Sequence, residues 1–154
     1  MSTPLRRLIR GAAIAAIYTC LCLLLAPFSF QMVQVRVSEA LTVLPFLWPE
    51  AIPGLFVGCL LSNLLAGAPL LDIVVGSLCT LGAALLTRYC RNAYLAPLPP
   101  VLCNAFGVGY VLYAAYGVPS YWLAAGSVGL GQLVACYGVG LPLLLLARKR
   151  FTTL

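Results

Sequence analysis

The sequence predicts an all-helical integral membrane protein, a bundle of six transmembrane helices with both termini cytoplasmic. Three observations carry this expectation. The 154-residue chain is 63% hydrophobic and 8% charged, with a mean hydropathy of +1.06, against roughly 45–50% apolar and about 25% charged for a soluble domain. Its apolar residues fall into six stretches separated by proline-bearing joints, and its basic residues gather at stretch ends. No soluble fold of this size has the interior to hide so much apolar surface. A bilayer is the expected solvent, and residues 1–154 are expected to form one membrane domain.

The stretches run 8–27, 38–49, 51–68, 70–90, 97–116 and 121–147. The first follows Arg6, Arg7 and Arg10, as a signal peptide would, but apolar segments follow at once with no polar mature region, so it reads as the first span. The second is shorter than the roughly 20 residues that cross about 30 Å of hydrocarbon. It also contains Pro45, and a short, kinked or partly re-entrant helix packed within protein is expected there. Pro27, Pro49, Pro53, Pro69, Pro97, Pro99, Pro100 and Pro119 stand at the joints, where a missing amide donor does least damage. No internal repeat is visible.

Nine residues are basic and three acidic. Arg6, Arg7 and Arg10 mark one terminus and Arg148, Lys149 and Arg150 the other, which places both inside and demands an even number of crossings. Six crossings also place Arg88 and Arg91 inside, leaving Arg36 alone on the outer side. Four would make some spans too long. The basic excess is therefore a topology signal, and no nucleic-acid partner is expected.

Common enzyme chemistries are excluded. The chain has no Gly-x-x-x-x-Gly-Lys-Ser/Thr run, so it holds no P-loop. It has no histidine, so Ser–His and Cys–His nucleophilic pairs are impossible. The seven cysteines form no Cys-x-x-Cys pair and read as small buried hydrophobes, with no metal, cofactor or disulfide framework implied.

Polar groups at membrane depth are costly and face a cavity or a partner. The candidates are Arg36, Glu39, Glu50, Asn63, Asp72, Asn104 and Gln132. Arg36 and Glu39 are three apart, so a helix places them on one face, either as a local ion pair or as a ligand clamp. Asn104 and Gln132 lie inside the fifth and sixth stretches, where an amide either bonds another helix or offers a heterocycle both donor and acceptor. Asp72 opens the fourth stretch, suited to capping free amides. Glu50 reads as a solvated or partner-facing charge in an inner loop. Tyr110, Tyr113, Tyr116, Tyr121 and Trp122 gather at the outer joint of the last two stretches, as an interfacial belt or as rings that stack on a solute. Gly11/Ala15 and Ala12/Ala16 are small-xxx-small pairs, suited either to internal packing or to docking a separate membrane subunit.

Several runs are similar to one family. Gln34-Val-Arg-Val-Ser-Glu-Ala-Leu-Thr-Val-Leu-Pro45, Ala51-Ile-Pro-Gly-Leu-Phe-Val-Gly58, Leu71-Asp-Ile-Val-Val-Gly-Ser77, Leu95-Ala-Pro-Leu-Pro-Pro-Val101 with Asn104, and Val128-Gly-Leu-Gly-Gln-Leu133 resemble, in order, the QueT family of queuosine-precursor transporters. The resemblance implies the substrate-binding S component of an energy-coupling factor (ECF) transporter. Such a protein has six helices, binds a vitamin-like solute from outside, and joins a transmembrane coupling subunit and two cytoplasmic ATPases. The implied solute is a 7-deazaguanine such as prequeuosine or queuine. Its N–H edge would be met by Glu39 with Arg36, and Asn104, Gln132, Asp72, Tyr113 and Trp122 complete the expected substrate set. Ala12 and Ala16, then Gly11 and Ala15, are the expected docking surface. The competing readings are an S component for another heterocycle, a self-sufficient secondary transporter and a membrane-embedded enzyme. The enzyme reading is disfavoured by the thin inventory of acid–base groups.

Overall fold

In a computed structural model, residues 3–25 and 36–152 are described. The end of the first predicted span, with Pro27, and the Gln34-Val35 start of the first family-like run lie outside the described residues. Among the described residues the chain forms six helical segments and no strand: α1 (Thr3–Leu24), α2 (Val37–Phe46), α3 (Ala51–Leu65), α4 (Asp72–Tyr89), α5 (Leu98–Ala115) and α6 (Tyr121–Arg150). Four of these, α1, α4, α5 and α6, are long and apolar enough to cross a membrane, whereas α2 and α3 are shorter.

The short second stretch has a physical explanation. Helix α2 is wound in 3₁₀ geometry, whose rise of about 2.0 Å per residue stretches ten residues to roughly 20 Å. It occupies the centre of the bundle. Every residue from Ser38 to Pro45 is buried, packed by α1, α4 and the middle of α6. A segment that faces protein on all sides need not match the thickness of lipid.

Burial is the reverse of that in a soluble protein. Leu8, Leu24, Leu70 and Leu146 project outward, each more than 60% exposed, while Arg36, Glu39, Asn63, Asp72, Asn104 and Gln132 are inside. An exterior of contiguous aliphatic side chains suits an apolar solvent.

Specific contacts fix the direction of each helix. Gly11 and Ala15 of α1 meet Gly54 and Gly58 of α3 in that order, so these two run parallel. Arg36 meets Asp72, Glu39 meets Thr80, and Arg88 donates to the Phe46 carbonyl, so α2 and α4 also run parallel. Tyr18 meets Glu39 while Arg10 stacks on Trp48, so α1 and α2 are antiparallel. Tyr116 meets Asp72 and Gly107 abuts Cys79, which opposes α5 to α4. Gly109 against Ala125 and Gly129 against Ala105 oppose α6 to α5. Three segments therefore run one way and three the other. Eight of the nine basic side chains share one end with the 47–50 and 90–97 joints, and Arg36 sits toward the other.

The α1–α3 contact is backbone on backbone. A Cβ added to Gly54 would sit 2.5 Å from the Gly11 carbonyl oxygen, and one on Gly58 would sit 3.0 Å from that of Ala15. Thr19 fastens the pair by donating to the Gly58 carbonyl at 3.1 Å. At the basic end Arg10 binds Glu50 at 2.6 Å, with its guanidinium 4.8 Å from the Trp48 ring centre. Glu50, expected as a solvated or partner-facing charge, is paired with Arg10 and borders the groove that runs past Ala12.

Because neither backbone can retreat without unpacking the helix pair, Gly54→Ala is expected to destabilise the protein by about 1–3 kcal/mol, the usual cost of overpacking. A melting temperature in detergent equal to that of the unaltered chain would contradict this close approach.

Candidate functional site

The polar side chains that remain inside the bundle gather on α2 and the helices around it. Arg36, 1% exposed, stands just before α2 and reaches across to Asp72, 0% exposed, at the start of α4. Its Nη2 donates to Asp72 Oδ1 at 3.2 Å and Oδ2 at 3.3 Å. Tyr116, at the end of α5, donates its hydroxyl to Oδ2 at 3.0 Å, and Asn63 of α3 donates its amide to the Asp72 backbone carbonyl at 3.4 Å. Directly after Tyr116 the chain turns at Gly117, whose φ of +71° suits a residue without a Cβ.

Asp72 opens a π-helical turn, Asp72–Gly76. A Cβ on Gly76 would lie 3.0 Å from Asp72 Oδ1 and 3.3 Å from Asn63 Nδ2. Gly76 is thus the floor on which the ion pair rests.

Glu39 lies one 3₁₀ turn after Arg36, fully buried. Its Oε1 accepts hydrogen bonds from the Tyr18 hydroxyl of α1 and from Thr80 of α4, the latter at 3.1 Å. Its backbone carbonyl accepts from the Thr42 hydroxyl at 2.5 Å and the Cys136 thiol at 3.5 Å. That thiol is also 3.5 Å from Gln132 Oε1, which links α6 to the same layer. Around Cys136 the α6 backbone makes a second π turn, Val134–Gly140.

Several buried polar atoms have no hydrogen-bond partner among the described residues: Glu39 Oε2, Asn63 Oδ1, both amide atoms of Asn104, and the hydroxyls of Ser38 and Ser77. A buried polar atom left unpaired costs about 1–3 kcal/mol. A polar guest that reached such atoms would gain hydrogen bonds that the bundle itself does not supply.

Of the two readings of Arg36 and Glu39, a local ion pair or a ligand clamp, no ion pair between them is present among the described residues. Arg36 precedes the first helical turn and is drawn 36 residues along the chain to Asp72, while Glu39 takes neutral donors instead. Asp72 makes no capping hydrogen bond at its helix start; its carboxylate serves the guanidinium. Asn104 and Gln132 are buried as expected, each 1% exposed. Tyr113 and Trp122 are not brought to this cluster, being 47% and 74% exposed on the outer surface, and Trp122 packs edge-on to Tyr121. Of the aromatic group at that joint, Tyr116 is the one that reaches inside. Tyr18 and Thr80, which hold Glu39, carried no signal in the sequence because each sits singly in an apolar run.

The small residues of α1 divide between two stripes. Gly11 and Ala15 are buried against α3, whereas Ala12 and Ala16 are exposed. A groove of about 400 Å³ runs along this surface, lined by Gly11, Ala12, Ala15, Pro53 and Gly54 with Arg7 at its basic end. It lies apart from the polar layer.

A family model described as QueT transporter matches residues 8–149 of the chain. No curated protein and no solved structure matches it.

The ion pair sets a rank order of variants. Asp72→Asn strands a buried guanidinium and is expected to cost about 3–5 kcal/mol, whereas Tyr116→Phe removes one hydrogen bond to a charged group, about 1.5–3 kcal/mol or less where solvent reaches it. Unfolding in detergent should show that order; the reverse order would mean that Asp72 is held by something other than Arg36.

Proposed function

The chain belongs to the QueT transporter family, and on that premise we propose that it is the substrate-binding S component of an ATP-driven ECF importer for a 7-deazaguanine queuosine precursor. The family and the apolar helices make it a multi-pass membrane transport protein and not an enzyme. Six crossings with both termini cytoplasmic are part of the proposal, supported by the alternating helix directions and by the eight basic side chains at one end. The Arg36–Asp72 end of the polar layer then lies toward the outer side, the direction from which an imported solute arrives.

The observation that carries the reading is the state of Glu39. It is fully buried, one carboxylate oxygen is held by Tyr18 and Thr80, and the other has no partner among the described residues. The pyrimidinone edge of a deazaguanine presents an N–H and an amino group, which a carboxylate accepts well. Asn104 supplies a donor and an acceptor for the rest of the ring, and Gln132 borders the same layer. Arg36 and Asp72, paired with each other, stand beside Glu39 in the same layer.

The chain carries no P-loop, so in this reading ATP is hydrolysed by partner subunits. The proposed docking surface is the exposed Ala12/Ala16 stripe and the groove beside it, where small side chains let another helix approach closely. A tagged chain expressed in its own cell should therefore copurify with a transmembrane coupling protein and two ATPases. Ala16→Trp should release those partners while keeping ligand binding. Uptake by the purified chain alone, without ATP, would defeat the proposal.

Glu39→Gln should weaken deazaguanine binding by more than about ten-fold, the scale of roughly 1.4 kcal/mol, as measured by calorimetry in detergent. Unchanged affinity would remove Glu39 from the site.

A further inference from the structure

A second groove, of about 350 Å³, lies where the end of α4 meets the start of α5. Its walls are Leu86, Leu95, Leu98 and Leu102, all exposed, and Cys90 and Cys103 add to the lining. No charged side chain lines it. Gly82 stands four residues before Leu86 on the same face of α4, and a Cβ there would meet no atom within 4 Å. That face of the bundle is therefore left open by the described residues. The groove ends at the 90–97 joint, around which Tyr89, Arg91 and Tyr94 are exposed. Arg88 is turned toward α2 instead, donating to the Phe46 carbonyl at 3.1 Å.

The charge count at this joint is one-sided. The chain has three acidic side chains, and all are placed elsewhere: Asp72 with Arg36, Glu50 with Arg10, and Glu39 in the buried layer. No side-chain carboxylate remains for Arg91, whose side chain forms no ion pair or hydrogen bond among the described residues. The groove beside α1 differs, because Arg7 and Glu50 both border it and its end carries both signs. Two copies of this chain inserted in the same orientation would bring their Arg91 side chains to one level with no carboxylate between them. A neutral lipid would cover the leucines but leave the guanidinium without a counterion. An anionic phospholipid meets both needs, as basic recesses between membrane helices do for acidic headgroups.

We propose that this groove is a binding site for an anionic phospholipid. One acyl chain lies against Leu86, Leu95, Leu98 and Leu102, and the phosphate sits at the joint. There Arg91 offers its planar fork of N–H donors, a geometry that matches phosphate oxygens, and the hydroxyls of Tyr89 and Tyr94 are further donors at headgroup level. In the orientation proposed above, the joint lies at the cytoplasmic leaflet, where anionic lipids set a negative surface potential. The site is separate from the buried polar layer and from the α1 stripe, and it stands whatever solute the protein carries.

Native mass spectrometry of the purified full chain tests this, with the protein released from micelles doped equally with phosphatidylglycerol and phosphatidylcholine of matched acyl chains. Phosphatidylglycerol should be retained at least about ten-fold more than phosphatidylcholine, and Arg91→Gln should bring the ratio to within about three-fold. Arg6→Gln, which removes the same charge at the same end of the bundle, should keep the preference. Leu98→Trp, which fills the groove from an exposed position and so spares the fold, should lose the bound phosphatidylglycerol. Excess inorganic phosphate should not displace the lipid, since without a chain it gains nothing from the leucines. Equal retention of the two lipids, a preference that survives Arg91→Gln, or one that Arg6→Gln abolishes as fully, would overturn the site in favour of the general field of the basic end. Retention by Leu98→Trp, or displacement by phosphate, would overturn the placement of the acyl chain. A dimer that Leu98→Trp dissolves would assign the groove to a second copy of the chain and overturn the proposal.

Discussion

Two charged side chains without access to water, Arg36 and Asp72, persist inside this bundle because each is the other's counterion. Removing an ion from water costs several kcal/mol unless its partner is close and the remaining hydrogen bonds are met. Much of the surrounding architecture follows from meeting that condition. The start of α2, the start of α4 and the end of α5 must converge for Arg36, Asp72 and Tyr116 to touch. Asn63 fixes the backbone under Asp72, and Gly76 is bare because a side chain there would collide with the carboxylate. Once the pair is closed, Glu39 is the charge left over, one turn deeper and held by neutral hydroxyls.

Among the described residues the helical backbone departs from α geometry in three places, and all three bear on this layer. The 3₁₀ helix α2 carries Glu39, the π turn of α4 carries Asp72, and the π turn of α6 brings Cys136 and Gly140 against α2. Irregular winding leaves backbone groups less well paired, and in a membrane protein it is tolerated where protein surrounds it. Each departure also redirects side chains. In α2 the three-residue period places Glu39 on the Arg36 side of the segment, while the hydroxyl of Thr42 turns back on the Glu39 carbonyl.

Much of the fold was legible in the sequence because lipid leaves a simple signal. Apolar runs, proline joints and basic clusters place α3 to α6 within a few residues of their observed limits, and they flag the second stretch as too short to span. The 3₁₀ winding was not legible, since Val37–Phe46 would suit an ordinary helix and only its central position calls for a longer rise. The candidate site was legible by composition: in a chain with three carboxylates, any buried one stands out. Its wiring was not. Arg36 and Glu39 are neighbours in sequence, yet the partners that matter, Asp72, Tyr18 and Thr80, are 21 to 41 residues from the groups they hold. Pairing at that range depends on helix packing, which a single sequence does not display. That Tyr113 and Trp122 lie outside the buried layer has a related cause: a ring near a helix end faces inward or outward according to a helix rotation that hydropathy leaves open.

The two small-residue stripes of α1 show how one helix serves two surfaces. Gly11/Ala15 and Ala12/Ala16 have the same four-residue spacing and differ in phase by one residue, about 100° around the helix. The sequence supports either as the internal face. What decides is α3, whose own Gly54 and Gly58 repeat the spacing and let the two backbones touch. With Gly11 and Ala15 committed there, Ala12 and Ala16 are turned to the outside, and Tyr18, one further turn along the buried stripe, reaches Glu39. The helix that the proposal assigns to partner docking is therefore in direct contact with the group that it assigns to the substrate. Because α1 and α3 are locked backbone to backbone, they have little freedom to shift independently, so any change that a guest imposes on Glu39 and Tyr18 is borne by the same rigid pair that presents the docking stripe.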